Sequence, residues 1–392
     1  MRNINYKPPF IYFGGKSPVA DVIWNALGNP VNYVEPFAGS AAVLLLRPGG
    51  AGHIETINDS DGFISNVWRS IKNDSDGVAK YADEMVSECE VHSRHLWLLG
   101  QRERLTEKLC GDVDFYDVKA AGFWLYGINC WIGSGWCSGN GPWISENGEM
   151  VLRNPGQGVN RKLPHLGDPG QGVNRQRPHL RNPGQGVNRQ LPHLGNPGKA
   201  PTGNGDRAAR SAWLHEYLHG FADRLRNVRV CCGDWSRVCG PSVTFKHGTT
   251  GVFLDPPYAD TAGRTKGLYA NDCEQVAHAA REWAIEQGCN PLMRIALCGY
   301  SEHEILERHG WSLVEWEATG GYGLISDDEN GIGRANKKRE RIYFSPHCIK
   351  ATDDLFSLGR SHSAEGVESN KTEAPDSDVV AKIEDLYRQP EE

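Results

Sequence analysis

The stretch GVFLDPPYAD, Gly251–Asp260, carries Asp255 and Tyr258 on a turn that Pro256 and Pro257 stiffen. An apolar run leads into it, and two consecutive prolines cannot continue a strand, because each lacks an N–H and holds φ near −65°. A carboxylate and an aromatic ring are thereby locked side by side at the end of a buried strand. One accepts hydrogen bonds and the other offers a π face for stacking. A turn at a sheet edge explains the prolines. It does not explain why so apolar a strand ends in an acid and then a ring.

Two other stretches hold residues of the same kind. EPFAGSAAV, from Glu35, places an acid and Pro-Phe ahead of Gly39, and small residues then open a helix. Glycine lets the backbone approach a ligand closely, and a helix N-terminus begins there. Asp59 follows 20 residues after Gly39 at the end of the next strand-like run. That is the offset at which open α/β folds bind a ribose hydroxyl. Asp61 is a neighbouring candidate, farther from the strand end. Each signal alone reads as a turn; together they point to a nucleoside site. In FIYFGGKSPVADVIW, Gly14 and Gly15 let Lys16 sit on a tight bend at a helix start, with a surface lysine as the plain alternative.

The elements that must position these residues alternate. VNYVEPFAG reads as a strand ending in a turn, SAAVLLLRP as a short buried helix, HIETIND as a second strand and GFISNVWRSIK as a helix. After LHEYLHGFADRL, strands return at VRVCC, GVFLD, MRIALCGY and RERIYFSP. Strand–helix alternation predicts an α/β fold with a mostly parallel sheet. The middle departs from it. WLYGINCWIGSGWCSGNGPW is rich in Gly and Trp without a clean period, and three tandem 14-residue units follow, from Asn154, Asp168 and Asn182. One α/β domain is thus interrupted by a large insertion.

The chain has 392 residues, 39% of them hydrophobic and 23% charged, which suits a globular protein of one large domain or two ordinary ones. It has no apolar run long enough to span a membrane, and its first residues lack the apolar region of a signal peptide. A cytoplasmic protein with no membrane partner is expected. Eleven cysteines, an odd count without a CxxC pair, fit reduced thiols, and no metal is implied. The net charge of −7 lies in the tail, where 11 acids face 4 bases from Ala351 onward. The body is neutral, while residues 151–240 carry 14 Lys/Arg against 5 Asp/Glu. That basic segment is a candidate polyanion surface.

Taken in order, these motifs resemble those of the Dam-like, α-class DNA adenine N6-methyltransferases. FIYFGGK is similar to the family's N-terminal cofactor motif, with Tyr12 and Phe13 in place of Trp-Ala. EPFAGSAAV is similar to EPFxGxGxV, with Ala41 at one customary glycine. INDSD, CCGDW and DPPY resemble the acidic second strand, the Gly-Asp motif and the catalytic motif. The resemblance covers about residues 6–72 and 225–346, and its order is that of the α class. It implies a Rossmann-like methyltransferase sheet with helices on both faces, interrupted by an irregular target-recognition insertion. Residues 1–75 would form the cofactor-binding part, 76–224 the insertion with repeats at 154–195, 225–350 the catalytic part, and 351–392 an acidic, disordered tail.

The cofactor implied is S-adenosylmethionine, with contacts carried over to Tyr12, Lys16, Phe37, Gly39, Asp59, Asp234 and Asp255. Asp255 and the Pro256 carbonyl would accept both hydrogens of an adenine amino group, on a turn held by Pro256 and Pro257. A base inside a duplex must be flipped out to react, and Tyr258 would stack on it. Double-stranded DNA is the implied partner. A cognate restriction endonuclease, as in restriction–modification, is left open, as is a monomer against a weak dimer.

Recognition of a site falls to the insertion. Asn129 and Asn140 are candidate base readers, since Asn pairs bidentately with adenine. Arg161, Arg175 and Arg189, one in each repeat, are candidate phosphate contacts. A tolerated duplication in a solvated loop is the plainer reading of the repeats, because added loop length costs only about 0.6 kcal/mol per doubling. Rival functions are a cytosine N4-methyltransferase, methylation of RNA or a protein glutamine, and an idle DNA-binding protein. Asp before the two prolines favours adenine, and the complete DPPY motif argues against decay.

Overall fold

The apolar runs read from the sequence form the centre of a seven-stranded sheet. The computed structural model describes residues 7–10, 12, 15–131, 136–137, 143–146, 149–152, 207–257, 274–316 and 340–350. The chain divides into a unit of residues 1–350 and one of residues 351–392, and the latter lies outside the described residues.

From the N-terminus, a 3-10 turn leads into α1 (Ala20–Leu27), followed by β1 (Asn32–Glu35), α2 (Ala42–Leu45), β2 (Ile54–Asp59) and α3 (Gly62–Asn73). Three more helices follow, α4 (Ser75–Ala82), α5 (Glu88–Gly111) and α6 (Val118–Cys130). Next come the small hairpin β3 (Trp143–Glu146) and β4 (Glu149–Leu152), then α7 (Arg207–Leu225) and β5 (Val228–Cys232). The last described elements are β6 (Thr250–Leu254), α8 (Glu274–Gly288), β7 (Met293–Gly299), β8 (Ser312–Trp316) and β9 (Glu340–Phe344).

The strand order is β5-β2-β1-β6-β7-β9-β8. The first five run parallel, and β9 is antiparallel to both of its neighbours. Buried parallel strands need both faces covered, so they read as nearly continuous apolar runs. Every residue of β1 and β6 is buried accordingly. Alternate side chains feed two cores. Tyr33, Phe253, Ala296 and Ile342 face the core that holds α1 and α3, while Val34, Val252, Ile295 and Tyr343 face the one that holds Ala284 of α8. This is the mostly parallel α/β fold that the alternation predicts and the Rossmann-like arrangement that the resemblance implies.

Several elements were not legible as such. Strand β8 is half exposed along its length and so lacks a buried apolar run. The Gly/Trp-rich stretch is helical up to Cys130, although it lacks a clean apolar period. Helix α6 carries two glycines at close packing contacts. A Cβ on Gly127 would lie 1.9 Å from the Trp136 ring, and one on Gly122 would lie 2.4 Å from Tyr81. Helices α4, α5, α6 and α7 pack on one another and on α3, and α5 also touches β5. Asp61, Asp74 and Asp117 cap α3, α4 and α6 through their carboxylates, caps worth about 1 kcal/mol each.

Candidate active site

Strand β2 follows β1 on one side of the sheet, and β6 joins β1 on the other. The chain order reverses at β1, and open α/β sheets bind ligands in the crevice that such a reversal leaves at the strands' carboxyl ends. Three strands deliver an acid to that edge: Glu35 ends β1, Asp59 ends β2 and Asp255 follows β6. All three line one pocket, together with Tyr12, Lys16 and Gly39.

The loop after β1 is built around backbone approach. Ala38 N–H donates to the Asn58 carbonyl at 2.9 Å, and Gly39 N–H donates to Asp59 Oδ2 at 2.9 Å. The buried Trp68 Nε1–H donates to the Gly39 carbonyl at 2.9 Å. Gly39 has φ +47°, and a Cβ there would stand 2.8 Å from the Tyr12 ring. The conformation favours glycine, and the Tyr12 ring leaves no room for a side chain. Two residues on, Ala41 has φ +49° with a side chain fully buried. It stands where the resemblance expects glycine, and its left-handed conformation costs roughly 1–2 kcal/mol.

The acids are held in different states. Burial pushes the Glu35 carboxyl up to about 8, against hydrogen bonds from the Tyr33 hydroxyl at 3.0 Å and Leu44 N–H at 3.2 Å. Burial likewise lifts Asp59 to about 7, against N–H donation from Asp61 and Gly39. Asp61 is raised by burial too, with Arg102 opposing, its Nη1 3.8 Å from Asp61 Oδ1. Asp255 instead meets a cation: Lys16 Nζ lies 2.9 Å from its Oδ2. Burial works against the charged Lys16, but Asp255, with Cys298 and Glu340 beside it, holds the ammonium above lysine's usual range.

Most of the residues singled out from the sequence stand at this edge. Phe37 lines the pocket and stacks on Trp235, with ring centroids 5.8 Å apart. Pro257 also lines it, and Pro256 is buried beneath. Asp234 is exposed, and its carboxylate caps the 3-10 turn Trp235–Val238; it is not among the residues lining the pocket. Asn129 sits near the end of α6 and donates to the Leu125 carbonyl at 2.8 Å and the Pro9 carbonyl at 3.2 Å. Its amide nitrogen thus ties α6 to the chain ahead of Tyr12. Tyr258, Asn140 and the repeat arginines Arg161, Arg175 and Arg189 lie outside the described residues.

Sequence reasoning did not single out Glu35 as a pocket group, nor Trp68 and Arg102 as its supports. For Glu35 a signal existed: an acid ending a strand that is otherwise buried. Trp68 and Arg102 carry no such mark, because they reach the site from α3 and α5 only once those helices are packed. Among the described residues, no group of three or more His, Cys, Asp or Glu is arranged to hold a metal ion, and no helix is long and apolar enough to cross a membrane.

A comparison with curated proteins returns no match. The family model for the D12 class N6 adenine-specific DNA methyltransferases matches residues 12–108. That span begins at Tyr12 and takes in Lys16, the Gly39 loop, Asp59 and Arg102. Over this segment, which carries the Lys16 bend, the Gly39 loop and Asp59, the chain is similar to the D12 class N6 adenine-specific DNA methyltransferases.

Proposed function

We propose that the protein transfers a methyl group from S-adenosylmethionine to the N6 amino group of a specific adenine in double-stranded DNA, after that base is turned out of the duplex. One observation carries this reading. The DPPY carboxylate shares a pocket with the Gly39 loop and the strand-end acid Asp59.

The pocket chemistry suits the cofactor. Glu35, Asp59, Asp61 and Asp255 line it against the single cation Lys16 among its lining residues. Carboxyl oxygens along such a cleft offer hydrogen-bond acceptors to a ligand that carries an ammonium and ribose hydroxyls. Asp59, at the end of β2, would accept ribose hydroxyls, and Phe37, backed by Trp235, would offer a face to an adenine ring. Gly39 lets the backbone come close to the ligand. S-adenosylmethionine, when bound, supplies an electrophilic methyl group.

The protein's task is to prepare the nucleophile. The adenine amino lone pair is delocalised into the ring. Acceptors for its two hydrogens, Asp255 and the Pro256 carbonyl, favour a pyramidal nitrogen with its lone pair exposed. Pro256 and Pro257 fix that backbone before substrate arrives, so little order remains to be created during reaction. Stacking of the extruded base on Tyr258 offsets roughly 1–3 kcal/mol of the cost of unstacking. No step here asks for a metal.

Purified protein with methyl-labelled S-adenosylmethionine and duplex DNA tests the reading. Label is expected in N6-methyladenine, and folded Asp255→Ala is expected to incorporate none. Wild-type-like turnover by that variant would sink the assignment.

A further inference from the structure

We infer that Lys16 acts on methyl transfer through Asp255, as the counter-charge that fixes this acceptor, rather than as a contact to the cofactor; this role rests on the function proposed above. The ion pair joins residues 239 apart in the chain at 2.9 Å. The lysine is the more enclosed partner, with a side chain 3% exposed against 18% for Asp255. The accessible end of the pair is therefore the carboxylate.

The backbone around Lys16 is built for such a placement. Gly15 N–H donates to the Tyr12 carbonyl at 3.2 Å, and Val19 N–H donates to the Lys16 carbonyl at 3.1 Å. Lys16 precedes the 3-10 turn Ser17–Val19, whose Pro18 holds φ at the start of the turn. A long, flexible side chain thus leaves a fixed bend and ends on one oxygen of Asp255.

Three strands bring acidic groups toward the pair. Glu35 comes from the end of β1, Cys298 from β7 and Glu340 from the start of β9. Among the groups that interact with Lys16, Asp255 is the strongest opposite charge. Without the ammonium, Asp255 would stand among acids in a half-buried crevice. Desolvation favours protonation of an unpaired carboxylate, and a protonated Asp255 becomes a donor where the reaction needs an acceptor.

The test compares wild type, Lys16→Met and Lys16→Arg for N6-methyladenine formation at saturating S-adenosylmethionine across pH 5–9, a range around neutrality. Cofactor affinity is measured alongside by calorimetry. For Lys16→Met we expect kcat to fall about 10²–10³-fold, as for loss of a preorganising charge. Its acid limb should move up by about 1–3 pH units, with little change in cofactor affinity. Lys16→Arg should keep the acid limb near that of wild type. Should Lys16→Met not fold, Lys16→Arg carries the test: lowered kcat with unchanged affinity supports the role. Affinity lost in step with activity, with the acid limb unmoved, would overturn it and make Lys16 a cofactor contact while leaving the proposed function intact. A wild-type protein that forms no N6-methyladenine at any pH overturns the proposed function and this role together.

Discussion

At the scale of single residues, the pocket is a set of carboxyl groups whose surroundings separate their charge states. Glu35 and Asp59 rise from ordinary values of 4.5 and 3.8 to about 8 and about 7, both through burial. A raised folded pKa means that the folded state binds the proton more tightly than the unfolded chain does. Stability from these groups is therefore full below about pH 4 and is lost as the pH rises to about 8. Glu35→Gln mimics the protonated form. In thermal melts of the ligand-free protein it should be the more stable of the two at pH 8, by roughly 2–4 °C per kcal/mol of relief. The gap should close toward pH 4. Parallel curves for the two proteins would show that Glu35 is not protonated in the fold. Gly39 makes a second residue-scale case. Ala41 shows that alanine can sit at a φ near +49° in this loop, so at Gly39 the deciding obstacle is the Tyr12 ring. Gly39→Ala should cost about 1–3 kcal/mol, and adding Tyr12→Ala should recover part of it. Additive losses in denaturant titrations would show that the ring is not the obstacle.

At the scale of elements, the question is how a chain interrupted after residue 75 returns to its sheet. Helix α7 supplies the answer at its last residues. Arg224 donates to both oxygens of Glu55 in β2, at 2.6 and 3.1 Å, and to the Leu44 carbonyl of α2 at 2.7 Å. Arg47 donates to Glu55 Oε1 at 3.1 Å and to Asn29 and the Pro30 carbonyl at 2.8 Å. Glu55 is 1% exposed, so removing it strands two guanidinium groups in the interior. Glu55→Ala should cost about 3–5 kcal/mol, read as a lower denaturation midpoint, while kcat per folded molecule stays that of wild type. A large loss of kcat in folded protein would mean that this knot also shapes the pocket. The strands of this layer were legible because β6 and β7 read as apolar runs, and β1 and β2 as short runs closed by an acid and turn residues. The knot was not legible, since Arg47, Glu55 and Arg224 look like ordinary surface charges until the fold brings residues 169 apart together. The same holds for β8, which is half exposed, and for the glycine-bearing helix α6, whose apolar period is blurred.

At the scale of the whole molecule, one sheet gathers acids from strands far apart in sequence, because β6 returns beside β1 after more than half of the chain has passed. That crossing places the DPPY motif against the Gly39 loop. It is why Asp255, Asp59 and Gly39 could be named from their spacing, while the pairing of Asp255 with Lys16 could not: spacing marks strand ends, whereas the ion pair depends on how an N-terminal bend is laid under β6. The division of labour follows. Under the proposed function, the pocket would set which atom is methylated, and residues 76–224 would recognise the DNA site. The most direct measurement is expression of the wild type and Asp255→Ala in a host whose DNA carries no methylation, followed by modified-base sequencing. The account predicts N6-methyladenine at a recurring sequence with the wild type and none with the folded variant. A mark on cytosine, no mark from soluble wild-type protein, or an equal mark from Asp255→Ala would contradict it.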